Sequence, residues 1–189
     1  MEKPKKSGPA KLMYGLIAVT AVAAAVCFWL YYGTERDHGA ILWIGVAAFT
    51  TLYHLWVRLL MGNVTKLFSI HHKQWWFRER GFEKRLYKVL HVKNWKDKAL
   101  TYNPELFSLK ERTLEEIADT TAKAETDHWV NILIALSTVL FSIPWGMFWL
   151  FLLTALGASL FDSQFILIQR YNRPRLVRAM ARQSRAVQG

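Results

Sequence analysis

Apolar residues along this chain come in long unbroken blocks, with charge confined to the stretches between them. The first block, residues 12–32, has twenty-one residues and no charge, about the span of a hydrocarbon core. A basic start before an apolar run also describes a signal peptide, but this run exceeds the usual length of such a core and reads as an uncleaved anchor. A short link, residues 33–39, carries Glu35, Arg36 and Asp37, and a second block covers residues 40–61, so the two spans form a hairpin. Near its far end Tyr53, His54 and Arg58 read as side chains that snorkel to the interface, with a site between helices as the alternative. The last apolar stretch, residues 129–168, has forty residues, too many for one helix and enough for two joined at residues 142–144. Its first member, 129–141, is short and therefore tilted or re-entrant. The pattern predicts an all-α polytopic membrane protein with about four transmembrane helices.

Between spans two and three the pattern changes. Residues 62–127 hold thirteen Lys and Arg against ten Asp and Glu and read as a cytoplasmic amphipathic-helical region. Over residues 74–90, Trp75, Phe82, Leu86 and Val89 recur at steps of seven, four and three with basic residues between them, which predicts an interfacial helix. Gly81 can divide it into two shorter pieces. A loop is marked by Asn103-Pro104, and Ser108 with Glu111 and Thr113 with Glu116 both have capping-box spacing. From Leu114 the residues Ile117, Thr121, Ala124 and His128 recur at three- and four-residue steps, so His128 lies on the face that turns toward protein. Neither Pro nor Gly occurs from 113 to 141, so one helix can run from the cytosol into the membrane. The organisation is then 1–61 as an N-terminal hairpin, 62–127 as the cytoplasmic region, 128–168 as a second hairpin and 169–189 as a basic tail.

Composition refines this picture. The chain is 52% hydrophobic with nine Trp, and its formal net charge is +11. A high pI is also the mark of nucleic-acid binders, but here basic and apolar residues are segregated rather than interleaved, so no nucleic-acid partner is expected. The N-terminal lysines, the 62–127 loop and the tail arginines all satisfy the positive-inside rule if both termini are cytoplasmic, which requires an even number of spans. The single cysteine, Cys27, lies in the first apolar block, which excludes a disulfide framework and a cysteine metal cluster.

Two constellations carry chemistry. Glu125 and His128 are three residues apart, on one helical face, and a carboxylate beside an imidazole is a recurrent general base. The common alternative is that acidic residues, His and Trp gather wherever a helix enters a bilayer. After the fourth span, Arg170, Arg173 and Arg175 crowd the exit. A basic stop-transfer flank accounts for arginines, but not for Gln169, Tyr171, Asn172 and Pro174 among them, and guanidinium forks suit phosphate or carboxylate groups.

Four stretches also resemble a known family. Phe82-Glu83-Lys84 with Tyr87, the run from Val92 through Lys93, Asn94, Trp95 and Lys96 to Asp97, Ala124-Glu125 with His128-Trp129, and QRYNRPRL from Gln169 to Leu176 are similar to the glycosyl-4,4'-diaponeurosporenoate acyltransferases of bacterial membranes. The resemblance covers roughly residues 75–178, and the last motif is the most specific. It implies transfer of a fatty acyl group from an acyl thioester to a sugar hydroxyl of a glycosylated carotenoid in the bacterial cell membrane, with His128 as general base and Glu125 orienting it. It further implies that Arg170, Arg173 and Arg175 hold the phosphates of acyl-CoA or of an acyl-carrier protein arm, with Lys93 and Lys96 as added anion contacts. Gln169, Asn172, Trp129, Trp95 and Glu83 complete the expected substrate-binding set. No cofactor beyond the acyl donor as co-substrate and no metal is expected.

The chain departs from the family pattern in its longer N-terminal hairpin, and it lacks the His followed four residues later by Asp of glycerolipid acyltransferases. Two other readings stay open. Glu-x-x-His is half of a carboxylate-bridged di-metal pattern, with His71, His72 and His91 in the same loop. A non-enzymatic scaffold that binds anionic lipid through its basic segments is the other.

Overall fold

The computed structural model describes residues 8–34, 38–99 and 104–188. The N-terminal Lys3, Lys5 and Lys6, the link residues Glu35, Arg36 and Asp37, and Asn103 lie outside them. The described residues form helices and turns without a strand, and four helical stretches are long and apolar enough to cross a membrane. The all-α membrane architecture read from the apolar blocks is the one observed. The chain divides into two compact units, Met1–Leu60 and Met61–Gly189.

The first unit contains α1 (Gly8–Gly33) and most of α2 (Gly39–Val64). They approach closely at Gly45, where an added Cβ would lie 3.0 Å from Cys27 Cβ and 3.1 Å from the Phe28 ring. Without a hydrophobic force between helices in lipid, such small-residue contacts let backbones pack. Val46 beside Gly45 is fully buried, whereas Leu12, Val19, Val22 and Trp29 are exposed, as lipid-facing side chains are.

The second unit begins, after the end of α2, with irregular structure. A 3₁₀ turn at Trp75–Phe77, the short α3 (Glu83–Val89) and the single-turn α4 (Val92–Trp95) stand where one interfacial helix was expected over 74–90. The break has a local cause, because Arg78 is extended and Gly81 follows it, so the periodic stripe is split. His91 joins α3 to α4 in the left-handed conformation, φ 49°, which few residues other than glycine adopt.

The long α5 (Leu114–Ser137) starts on a complete capping box. Glu116 N donates to Thr113 Oγ1 at 3.2 Å, and Thr113 N donates to the Glu116 carboxylate at 2.8 Å. At the other expected box, Ser108 Oγ only accepts from Lys110 N and no helix follows. From α5 the helical path continues through a 3₁₀ turn, Thr138–Phe141, into α6 (Ser142–Trp145). The chain therefore reverses at Gly146 and Met147, both at positive φ, and not at 142–144. Pro144 is tolerated because it lies in the first turn of α6, where its missing N–H has no intrahelical partner.

The last helix, α7 (Phe148–Gln188), is continuous for 41 residues. QRYNRPRL, expected in the basic tail after the fourth span, is helical with Pro174 inside it and continuous with the apolar part of α7. α5 packs along α7 more extensively than any other pair of elements, and Ala135 on α5 and Ala155 on α7 are both nearly inaccessible. Tyr87, Val92 and Tyr171 form one core cluster with Trp95 and Leu167 against it, and Ile70, Phe77 and Ala122 form another.

Gly45→Val places its side chain against Cys27 and Phe28, and overpacking of this kind costs about 1–3 kcal/mol. Thermal unfolding of the detergent-solubilised protein, followed by helical circular dichroism, should show a lower midpoint. An unchanged midpoint would mean that α1 and α2 do not depend on this approach.

Candidate active site

Two of the residues singled out in the sequence, Glu125 and His128, lie one turn apart on α5 but hold different partners. Glu125 is fully buried and faces arginines of α7. Arg170 Nε donates to its Oε1 at 2.8 Å, and Arg173 Nη2 lies 2.7 Å from its Oε2. The second contact is close in distance but off the hydrogen-bonding line, so Oε2 is ion-paired without a hydrogen bond. His128 instead sets Nδ1 2.7 Å from Asp162 Oδ1, with Asp162 almost wholly buried. The expected Glu125–His128 pair is thus replaced by an Asp162–His128 pair across two helices. An i, i+3 spacing permits a contact but does not compel one, and two guanidinium groups attract the glutamate more strongly.

The arginines are correspondingly occupied. Arg170 also donates to Glu83 and, through Nη2, to the Trp76 carbonyl at 2.7 Å. Arg173 is 2% exposed, donates to the Thr121 hydroxyl and carbonyl and to the Phe77 carbonyl, and stacks on the Phe77 ring at 4.9 Å. These two guanidinium groups face the protein's own oxygens rather than an open site. Arg175 is exposed, with its guanidinium 3.6 Å from the Tyr171 ring centroid.

The other sequence candidates scatter. Glu83 is buried between Arg170 and Tyr87, whose hydroxyl donates to it at 2.8 Å. Burial, followed by that hydrogen bond, pushes the Tyr87 phenol above its ordinary value. Gln169 is buried and Asn172 half-buried on α7. Trp95 packs on the Tyr87 cluster and donates to the Leu90 carbonyl. Lys96 pairs with its neighbour Asp97, and Lys93 is exposed. Only Trp129 borders both the His–Asp pair and open space.

That open space is a groove of about 460 Å³ between residues 76–90 and the α5–α7 pair, within the size range of small-molecule sites. Trp76, Phe82, Leu86, Leu90, Ile166 and Leu167 give it apolar walls. Trp129 and Ser163, the sequence neighbours of His128 and Asp162, line it from α5 and α7. His128 stacks face to face on Phe165, centroids 4.8 Å apart and planes within 8°. With Nδ1 committed to Asp162, Nε2 is the nitrogen left to meet a substrate, and it has no partner among the described residues.

A second His–Asp contact is of another kind. Asp119 takes the His72 backbone N at 2.8 Å, His72 Nδ1 at 2.6 Å and His71 Nδ1 at 3.2 Å. Three donors on one carboxylate tie the 71–74 loop to α5, beside an open cleft that also meets Lys73 and Glu115. Among the described residues, no three His, Cys, Asp or Glu side chains converge as metal ligands.

The model of the glycosyl-4,4'-diaponeurosporenoate acyltransferase family matches residues 73–182. The chain belongs to this family. The match takes in α3, α4, α5 and nearly all of α7, hence both His128 and Asp162, while His72 falls just outside it. No curated protein and no solved structure matches the chain significantly. Membership of the glycosyl-4,4'-diaponeurosporenoate acyltransferase family implies acyltransferase activity, and with four membrane-spanning helices it describes a membrane acyltransferase. The residue that sequence reasoning missed is Asp162. Its signal was its position, an acid among apolar residues of a span, where an ionisable group requires a partner.

Removing one member of a buried ion pair leaves an uncompensated charge and costs about 3–5 kcal/mol. Glu125→Gln should therefore destabilise the protein by that amount in detergent unfolding, and Glu125→Leu combined with Arg173→Met should recover part of it. Tyr87 gives a pH test. Its neutral form is favoured by the fold, so its contribution is fully present below a phenol's usual value near 10 and lost as pH rises above it. The difference titration at 295 nm between wild type and Tyr87→Phe should show phenolate only above that pH. A step at or below it would contradict the buried geometry.

Proposed function

We propose that the protein transfers a fatty acyl group from an acyl thioester to a hydroxyl of a glycosylated lipid, with a glycosyl-carotenoid-like acceptor, and that His128 is the general base. The observation that carries this reading is the His128–Asp162 contact, 2.7 Å at Nδ1, inside the family match and next in sequence to Trp129 and Ser163, which line the groove. Asp162 fixes the ring orientation and the tautomer, so that Nε2 is the basic atom.

The reaction follows from that assignment. The acceptor hydroxyl oxygen attacks the thioester carbonyl carbon while its proton passes to His128 Nε2. The imidazolium is stabilised by the buried Asp162 carboxylate and by the flat face of Phe165. Collapse of the tetrahedral intermediate expels the thiolate, which takes the proton back from Nε2, so that an ester and a thiol leave and the enzyme is unchanged. The acyl chain stays in the lipid-facing part of the α5–α7 pair while the sugar remains at the interface. Glu125 has a positioning role in this scheme, holding α5 to α7 through Arg170 and Arg173. The basic excess of the cytosolic loop and of the end of α7 supports an enzyme of the bacterial cell membrane with both termini cytoplasmic.

Wild type, His128→Ala and Asp162→Asn are each incubated with an acyl-CoA mixture and a membrane lipid extract, and the lipids are followed by mass spectrometry. A glycolipid should gain an acyl mass with wild type, His128→Ala should give none, and Asp162→Asn should lower kcat by about 10²–10⁴-fold with little change in KM. Full turnover by folded His128→Ala would remove the general base. If neither wild type nor variant alters any lipid and both retain the same anionic one, the protein is a lipid-binding scaffold.

A further inference from the structure

The arginines first expected to hold the donor's phosphates are occupied within the fold, which leaves the anion contact of the site unassigned. The groove beside Trp129 supplies one. Its charged lining residues are Arg80, Glu83 and Arg170. Glu83 and Arg170 neutralise each other, whereas Arg80 pairs with no carboxylate among the described residues. It is exposed, with its guanidinium 5.3 Å from the centroid of the Trp76 ring, which restricts the side chain without consuming its donors. The groove therefore carries one uncompensated positive charge, set against walls that are otherwise apolar.

The direction of the groove follows α7. Arg170, Ile166, Ser163 and then Ser159 lie four, three and four residues apart, which is one stripe of a helix. From Arg170 to Ser163 this stripe covers about 10 Å at the rise of an α-helix. Ser163 donates its hydroxyl to the Ser159 carbonyl, while the Ser159 hydroxyl oxygen is buried and has no partner among the described residues. The stripe thus runs from Arg170, whose charge Glu83 balances, through the groove-lining Ile166 and Ser163 toward a buried polar atom one turn from Asp162, with Arg80 as the free cation of the same groove among the described residues. An amphiphile with an anionic group at one end and a polar linkage followed by a chain at the other is complementary to this sequence of surfaces.

We infer that the groove binds the phosphate-bearing acyl donor, with Arg80 as its phosphate contact and the acyl end directed along α7 toward Ser163 and Ser159. This rests on the acyltransferase reading for the name of the ligand, but the binding chemistry does not require turnover. A guanidinium holds phosphate through charge-assisted hydrogen bonds, each a strong contact on a partly desolvated surface. The phosphate belongs either to coenzyme A or to the head group of a phospholipid, and the groove recognises the chemistry the two share.

The test is direct binding, by titration calorimetry in uncharged detergent, of a non-transferable thioether analogue of palmitoyl-CoA and of the matching palmitoyl pantetheine thioether without phosphate. In wild type the phosphate should strengthen binding about tenfold or more. Arg80→Glu should abolish that difference, Arg80→Lys should retain part of it, and Leu86→Trp should weaken both probes by filling the wall. Lys110→Glu, which changes surface charge equally outside the groove, should bind as wild type does. Competition by phosphatidylglycerol but not by coenzyme A would assign the phosphate to a lipid donor, and the reverse to the soluble thioester; either supports the site. If loss of the phosphate costs Arg80→Glu as much as it costs wild type, or if Lys110→Glu weakens binding as much as Arg80→Glu, the assignment is overturned. Failure of the two readings is distinguishable. Turnover lost in His128→Ala alongside normal phosphate discrimination in Arg80→Glu removes this site alone, whereas phosphate-dependent binding with full turnover in His128→Ala removes the general base alone.

Discussion

Four charges buried among α3, α5 and α7 set the arrangement of everything around them. Glu83 and Glu125 face Arg170 and Arg173, two negative and two positive, so the group as a whole is neutral. In a low-dielectric setting each charge is tolerable only with its partners in place. Pairing in this geometry is demanding, because a guanidinium fork has fixed directions and its remaining donors need carbonyls. Thr121, Phe77 and Trp76 supply those carbonyls, and in doing so they hold the 75–77 turn against the two long helices. The cluster thereby ties the irregular chain around residues 75–95 to the long helices with hydrogen bonds rather than with apolar area alone.

That constraint also explains why the His128–Asp162 pair, the proposed reacting pair, is where it is. Antiparallel helices have one register, and contacts of Thr121 with Arg173 and of Glu125 with Arg170 leave Asp162 facing His128. The acid that orients the imidazole is therefore delivered by the opposite helix, and its placement depends on the neighbouring ion pairs. A carboxylate inside a span is costly when alone, and the imidazole is the partner that makes Asp162 acceptable. The arginines differ accordingly: Arg170 and Arg173 are committed to the fold, while Arg80, in the groove lining, pairs with no carboxylate among the described residues.

Much of this was legible in the chain, and the exceptions have physical reasons. Apolar block length gave four spans, because the bilayer sets it. The Thr113–Glu116 box marked the start of α5, and the three-and-four stripe turned His128 inward. What could not be read was partner choice. Glu125 is near His128 in sequence, but Arg170 and Arg173 lie more than forty residues away and compete for it through the fold. The arginines looked like ligand binders because a sequence shows donors and not what they are committed to. Pro174 lies inside α7, in a stretch where the buried Tyr171 and Arg173 just before it pack against the 75–95 segment. The expected interfacial helix is broken near Gly81, where the chain is already extended at Arg78.

The length of α7 acts as a ruler. From Phe148 to Asp162 is fourteen residues, about 21 Å at the helical rise, while the apolar layer is about 30 Å thick. A helix set upright in such a layer from Phe148 would carry the aspartate roughly two-thirds of the way across, toward the end that bears residues 61–127. In the proposed reaction the fatty chain would then reach the imidazole from within the apolar layer, and the sugar hydroxyl from the nearer head-group side. The straightness of one helix would thus let two substrates that prefer different solvents share a single point of reaction.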